Sequence, residues 1–244
     1  MIDLYHGLSP NVLKVTIFLE EAGLAYRNLS VDISQGEQYS PEFLRISPNG
    51  KVPAIVDHAP ADGGPPLALF ESGAILQYLA EKTGRFLPRD PRPRAEAMQW
   101  LFWQMANLGP VAGQNVHFRR YAPQLAPGSD HGYARERYTR ESNRLFGVLD
   151  HRLRERPFIA GEYGIADMAC YPWASLGEKI LGQNFEEFPR VKRWVDAIAA
   201  RPAVLRAYDR NGREHRPWSA SQDTLLKNFF NQTAAGMYAR LDQD

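Results

Sequence analysis

Apolar positions follow two regimes along the chain. Up to about residue 87, short apolar runs alternate with helical stretches; beyond it, nearly every apolar stripe has the helical period. Residues 2–5 read as a short strand. Ser9-Pro10-Asn11 reads as a helix start, with Ser9 as N-cap and Pro10 at the first helical position. Val12, Val15, Phe18 and Leu19 then recur at helical spacing, and Gly23 stops the helix. Residues 26–31 form a second strand that leads into a polar loop, and Pro41 opens a short helix carrying Leu44 and Ile46. Pro53 cannot donate to a ladder, so it belongs at the beginning of the next strand. Residues 53–57 and 67–70 read as an antiparallel hairpin. Glu71 and Ser72 begin a helix over 73–82, ended near Gly84.

Pro88, Pro91 and Pro93 break the chain. A helix over 94–117 follows, with a kink expected at Gly109-Pro110. A second, over 134–155, carries Tyr138, Leu145, Leu149 and Leu153 on one stripe; a third begins near Ile165, and a fourth packs through Val191, Trp194, Val195 and Ile198. The end of the chain is polar except for TLLKNFF, and it reads equally as a helix returning to the body or as a loose tail. The organisation expected is α/β followed by all-α. Residues 1–87 form a βαβαββα domain, residues 92–210 a helical domain, and residues 211–244 an extension of open role.

Composition narrows the function. Of 244 residues 44% are hydrophobic and 23% charged, ordinary for a soluble globular protein, and there is material for one core per domain. The net charge of +1 comes from mixed signs with no basic cluster, which argues against a nucleic-acid partner. The first residues lack the pattern of a signal peptide, and no apolar run reaches the ~20 residues of a membrane span. A cytoplasmic location without membrane attachment is the expectation. The lone Cys170 rules out an internal redox pair and a cysteine metal site, and its apolar setting reads as core. No metal is expected.

The element order, with SPN at 9–11, FLRISPNGKVPAIVD at 43–57, LFESGAILQYLAEK at 69–82, WLFWQ at 100–104 and GQNVHF at 113–118, resembles the glutathione transferases over about residues 1–208. The likeness is to their Nu-class, bacterial disulfide-reducing branch. It implies a thioredoxin-like first domain, a homodimer, and glutathione as the co-substrate that carries the thiol. It also implies a cis Val52-Pro53 bond, which lets the backbone of Val52 pair with the tripeptide as a short strand would. Glu71 and Ser72 match the γ-glutamyl zwitterion: a helix start with a hydroxyl donor for the carboxylate, and an acid for the ammonium. The same pair also satisfies a plain N-cap with a first-turn acid. Lys51 and Gln38 would meet the glycine end, although Lys51 reads equally as a solvated charge.

The thiol would lie at the first helix start. Ser9 stands where the branch often has threonine, Asn11 matches its asparagine, and a helix N-terminus with two donors can lower a thiol pKa. Ser9 also reads as a simple cap. Tyr5 is the rival donor and, with Asn115, His117 and Phe118, a candidate for the second-substrate pocket. A strand tyrosine and a helix histidine also read as structural. Arg137 resembles the arginine that reaches a second glutathione carboxylate, and it could equally pair with Glu141 one turn on. Gly164 stands where the family usually caps a helix with Ser or Thr, leaving Asp167 to bond the backbone behind it. The activity implied is glutathione-dependent reduction of disulfides or organic peroxides. Conjugation to electrophiles and a non-catalytic interaction module are the alternatives.

Overall fold

The computed structural model describes residues 1–214, 221, 224, 228 and 233–235, in two compact units. The first comprises residues 1–82 together with the described residues from 206 onward. Its elements are β1 (Ile2–His6), α1 (Pro10–Ala22), β2 (Tyr26–Ser30), α2 (Pro41–Ile46), β3 (Ala54–Asp57), β4 (Leu67–Phe70) and α3 (Ser72–Thr83). The sheet order is β2-β1-β3-β4; β1 and β2 are parallel, whereas β3 runs antiparallel to both β1 and β4.

Local signals set the helix ends. Ser9 is extended, at φ −151°, and its side chain accepts from the backbone N–H of Asn11; Gly23 closes α1 at φ +66°, a conformation that favours glycine. The α1 stripe is fully buried at Val12, Val15, Phe18 and Leu19. Buried Asp57 ties β3 to α3, accepting from Tyr78 Oη (2.7 Å) and from Lys82. Burial alone would raise its carboxyl pKa, but the bonds from Lys82 and Tyr78 outweigh burial and hold it below the ordinary value.

The second unit, residues 83–205, is helical. Its elements are α4 (Pro91–Trp103), α5 (Gly109–Val116), α6 (Ala122–Leu125), α7 (Gly132–Arg152), α8 (Ile165–Ala174) and α9 (Pro189–Ala199), with α10 (Pro202–Glu214) beginning in it. Gln104–Leu108 between α4 and α5 is wound as a π-helix. The expected irregularity at Gly109-Pro110 thus appears as a wide turn just before it, where a proline ring would otherwise crowd the carbonyl of Ala106.

Gly164 has a steric reason: a Cβ there would lie 2.7 Å from the carbonyl oxygen of Phe86. Asp167 bonds the backbone behind it as expected. It accepts from Gly164 N (3.1 Å), Ile159 N (2.9 Å) and also Trp194 Nε1 (2.8 Å). Cys170 is fully buried. No helix among the described residues is long and apolar enough to cross a membrane.

Candidate functional site

Strand register gathers the site. Tyr5 of β1 pairs with Ala54 of β3, and Ala54 pairs with Phe70 of β4. The segments continuing from these positions, residues 7–11, 51–53 and 71–72, therefore leave the sheet at the same end. Two of them touch: a Cβ on Gly7 would sit 3.5 Å from Val52 Cγ2. The Val52-Pro53 bond is cis, as the resemblance implied.

At the start of α1, Ser9 Oγ accepts the N–H of Asn11 at 3.2 Å. With the oxygen occupied as acceptor by the helix, the hydroxyl hydrogen is directed away from it. Capping α1 and donating to a ligand are therefore compatible at Ser9. At the start of α3, Glu71 is held at φ +68°, a left-handed conformation that costs a non-glycine residue about 1–3 kcal/mol. Its carbonyl accepts the Ile75 N–H at 2.9 Å, so this strained residue directly begins the helix. The Glu71 side chain is exposed, while Ser72 is buried.

Lys14 is the residue that sequence reasoning missed. It is 1% exposed, and its Nζ donates to Ser72 Oγ at 3.4 Å. An ammonium can only donate, so Ser72 Oγ is the acceptor and its own hydrogen points elsewhere. The signal was available: Lys14 lies four residues before Phe18, on the apolar stripe of α1.

Gln38 is buried, and its Oε1 has no hydrogen-bond partner among the described residues. Lys51 is exposed, and its carbonyl accepts from Ser47 Oγ at 2.9 Å. The two segments meet through Tyr39, whose ring packs so closely on Gly50 that a Cβ at 50 would lie 2.8 Å from it. Tyr5 goes to the α2 side of the sheet. Its ring lies 5.7 Å from that of Phe43, in a cluster with Val31 and Ala54, and it lines a recess of about 260 Å³ with Leu29, Glu37 and Ile46. Burial pushes its phenol pKa up, with Asp3 adding to the shift.

The remaining candidates lie in the second unit. Asn115 is fully buried: its Nδ2 donates to Ser142 Oγ (2.9 Å) and to the Leu181 carbonyl (3.0 Å), and its Oδ1 accepts from Thr139 at 3.4 Å. This side chain ties α5 to α7 and to the π-helical segment ending at Leu181, and both ends of its amide are engaged within the unit. His117 and Phe118 are half-buried, and the Phe118 ring stacks on Tyr138 at 5.6 Å. Burial lowers the His117 pKa, with His131 adding to the effect. Arg137 is exposed and lies 3.8 Å from Glu141, the i+4 pairing considered from the sequence.

The family model of the glutathione S-transferase N-terminal domain matches residues 1–81, and that of the C-terminal domain matches residues 131–202. Disulfide-bond oxidoreductase YfcG of Escherichia coli (strain K12) is 55% identical over 208 residues, 85% of this chain and 94% of the relative. A glutathione transferase from Burkholderia graminis, solved with two glutathione molecules bound per subunit, superposes with a TM-score of 0.79 at 43% identity, covering 85% of this chain and 87% of its own. A Pseudomonas putida transferase, solved with one glutathione disulfide per subunit, gives 0.78 at 43% identity, covering 84% and 90%. With family models matching both domains and close relatives along most of its length, the chain belongs to the glutathione S-transferase family.

Proposed function

We propose that this chain is a glutathione-dependent disulfide oxidoreductase. The observation that carries the reading is the Tyr5–Ala54–Phe70 register, which gathers Ser9, cis Val52-Pro53 and Glu71-Ser72 at one end of the sheet. Ser72 and the start of α3 would hold the γ-glutamyl carboxylate, and Glu71 its ammonium. Val52 would pair with the tripeptide backbone, and Gln38 and Lys51 would meet the glycine end. Ser9, Asn11 and the start of α1 would stabilise the sulfur as thiolate.

Bound glutathione supplies the nucleophile. One thiolate attacks a disulfide RSSR, releasing RS⁻ and a mixed disulfide; a second glutathione releases the other RS⁻. The two thiol protons end on the products: two glutathiones plus RSSR give glutathione disulfide plus two RSH. Organic peroxides are a second class of oxidant for the same thiolate. Ser9 and Asn11 are both in place, which favours an enzyme over an interaction module. The name of the 55% identical relative favours disulfide reduction over conjugation.

His117, Phe118 and Arg137 would belong to the second-substrate side. The reading includes a homodimer in the cytosol. Dimerisation is supported by the family likeness, and it would give exposed Leu67, Phe70 and Phe102 a surface to cover. The test is a paired assay on the purified chain: glutathione-dependent reduction of hydroxyethyl disulfide, coupled to glutathione reductase, beside conjugation of chlorodinitrobenzene. Disulfide turnover well above conjugation is expected. Conjugation without disulfide turnover would overturn the reading, and so would the lack of any thermal stabilisation by millimolar glutathione.

A further inference from the structure

Asn228 lies far beyond the sheet in sequence, yet it is buried against the loop before α2. Its Nδ2 donates to the Ser34 carbonyl at 2.8 Å, and its own carbonyl accepts from Tyr39 Oη at 3.2 Å. Its amide lies flat on Gly36, at φ +86°, where a Cβ would come within 3.2 Å of Asn228 Oδ1. One residue thus grips both ends of residues 34–39. Within the loop, the N–H of Ser34 donates to Asp32 Oδ1 (3.0 Å), that of Asp32 to Glu37 Oε2 (2.7 Å), and that of Tyr39 to the Gly36 carbonyl (2.9 Å). Gln38 sits inside this gripped segment, and the Tyr39 ring presses on Gly50, immediately before Lys51 and Val52.

We infer that Asn228 is a positioning residue: it clamps residues 34–39 and, through Tyr39, the Gly50 turn, and so holds the subsite for the glycine end of glutathione. The inference rests on the proposed glutathione reading. It gives the C-terminal segment, whose other residues lie largely outside the described ones, a defined part in ligand selectivity. The clamp acts on Gln38 and Lys51 and leaves the γ-glutamyl end, at Glu71 and Ser72, to its own supports. Its effect is therefore confined to ligands that possess the glycine.

The test compares glutathione with γ-glutamylcysteine, which lacks that residue, by titration calorimetry on the full chain and its Asn228→Ala variant. Removing the buried donor to Ser34 is expected to weaken glutathione by about tenfold, the equivalent of one hydrogen bond, and to leave γ-glutamylcysteine binding unaffected. Tyr39→Phe, which keeps the ring on Gly50 and removes only the hydroxyl, is expected to change selectivity in the same direction. It also serves as the second reading should Asn228→Ala fold poorly. Equal weakening of both ligands, or no change in either, overturns the clamp. Failure of the parent chain to bind glutathione overturns the function itself and the clamp with it.

Discussion

Replacing Ser9 by alanine tests the thiolate assignment at its most exposed point. The Ser9 oxygen is taken by the Asn11 N–H at 3.2 Å, and in the proposed reading the hydroxyl hydrogen would go to the ligand sulfur. A hydrogen bond to a charged group contributes about 1.5–3 kcal/mol, so its loss should raise the bound thiol pKa by about 1–2 units. Starting from a thiol near pH 6.5, a shift of about 1.5 units cuts the thiolate fraction at neutral pH by about eightfold. The rate should fall less. A more basic thiolate is also more nucleophilic, and with a Brønsted slope of about 0.45 this recovers about fivefold and leaves a net loss of about twofold.

The informative quantity is therefore the position of the acid limb in kcat/KM against pH for a small disulfide. It should move up by about 1–2 units, and the variant should equal or exceed the parent in alkali. Thiolate ultraviolet absorbance of the glutathione-saturated protein should titrate with the same displacement. Loss of the cap should also lower Tm by about 2–4 °C, a helix cap contributing about 1 kcal/mol in a chain of this size. Superimposable acid limbs, with the Tm drop present, would show that Ser9 only caps α1.

Lys14→Met keeps the buried stem and removes the ammonium that directs Ser72. It should raise the KM for glutathione about tenfold at little cost to stability, and an unchanged KM would remove Lys14 from the site. Lys82→Ala leaves Asp57 buried beside Tyr78 without its cation and should cost about 3 kcal/mol in urea unfolding. Asp167→Ala orphans the Ile159 and Gly164 N–H groups and the Trp194 indole, and should cost about 3–5 kcal/mol. Burial pushes the Asp167 carboxyl up to about 6, against hydrogen bonds that pull it down. The native state therefore holds this proton more tightly than the unfolded chain. Its contribution is complete below about pH 4 and is lost as pH rises through 6, a change of about 3 kcal/mol. The unfolding free energy of the parent relative to Asp167→Asn, followed from pH 4 to 7, should fall accordingly; a difference flat with pH contradicts the assignment.

Where a signal is local, the sequence revealed it. Ser9-Pro10 and Gly23 bound α1 because capping chemistry is a matter of adjacent residues. Val191, Trp194, Val195 and Ile198 are all buried on α9 because their spacing alone defines a face. Side chains whose roles depend on distant partners were less legible. Asn115 on a helix reads as exposed or pocket-facing until Ser142 and the Leu181 carbonyl, 27 and 66 residues away, engage its amide. The TLLKNFF segment suggested a returning helix or a loose tail, and nothing within it points to Ser34, 194 residues back from Asn228. The α10 helix carried a local signal that the sequence reading passed over, since Ala203, Val204, Ala207 and Asn211 are buried at helical spacing. Its residues from 206 onward belong to the first unit, where Arg206 donates to Glu20 Oε2 at 2.9 Å and the Arg210 guanidinium lies 4.0 Å over the Tyr26 ring.

The two serines of the site separate these cases. Both stand at helix starts, and in both the oxygen accepts a bond from another group, which turns the hydroxyl hydrogen away from that donor. At Ser9 the occupant is the N–H two residues on, so the motif itself carries the geometry. At Ser72 it is the ammonium of Lys14, 58 residues earlier, so the motif names the group but not its direction. Swapping each serine for threonine should expose the difference. At position 9 the supporting donor is backbone and adapts to the added methyl. At position 72 the methyl must fit beside a lysine that is 1% exposed, and glutathione affinity should suffer there first.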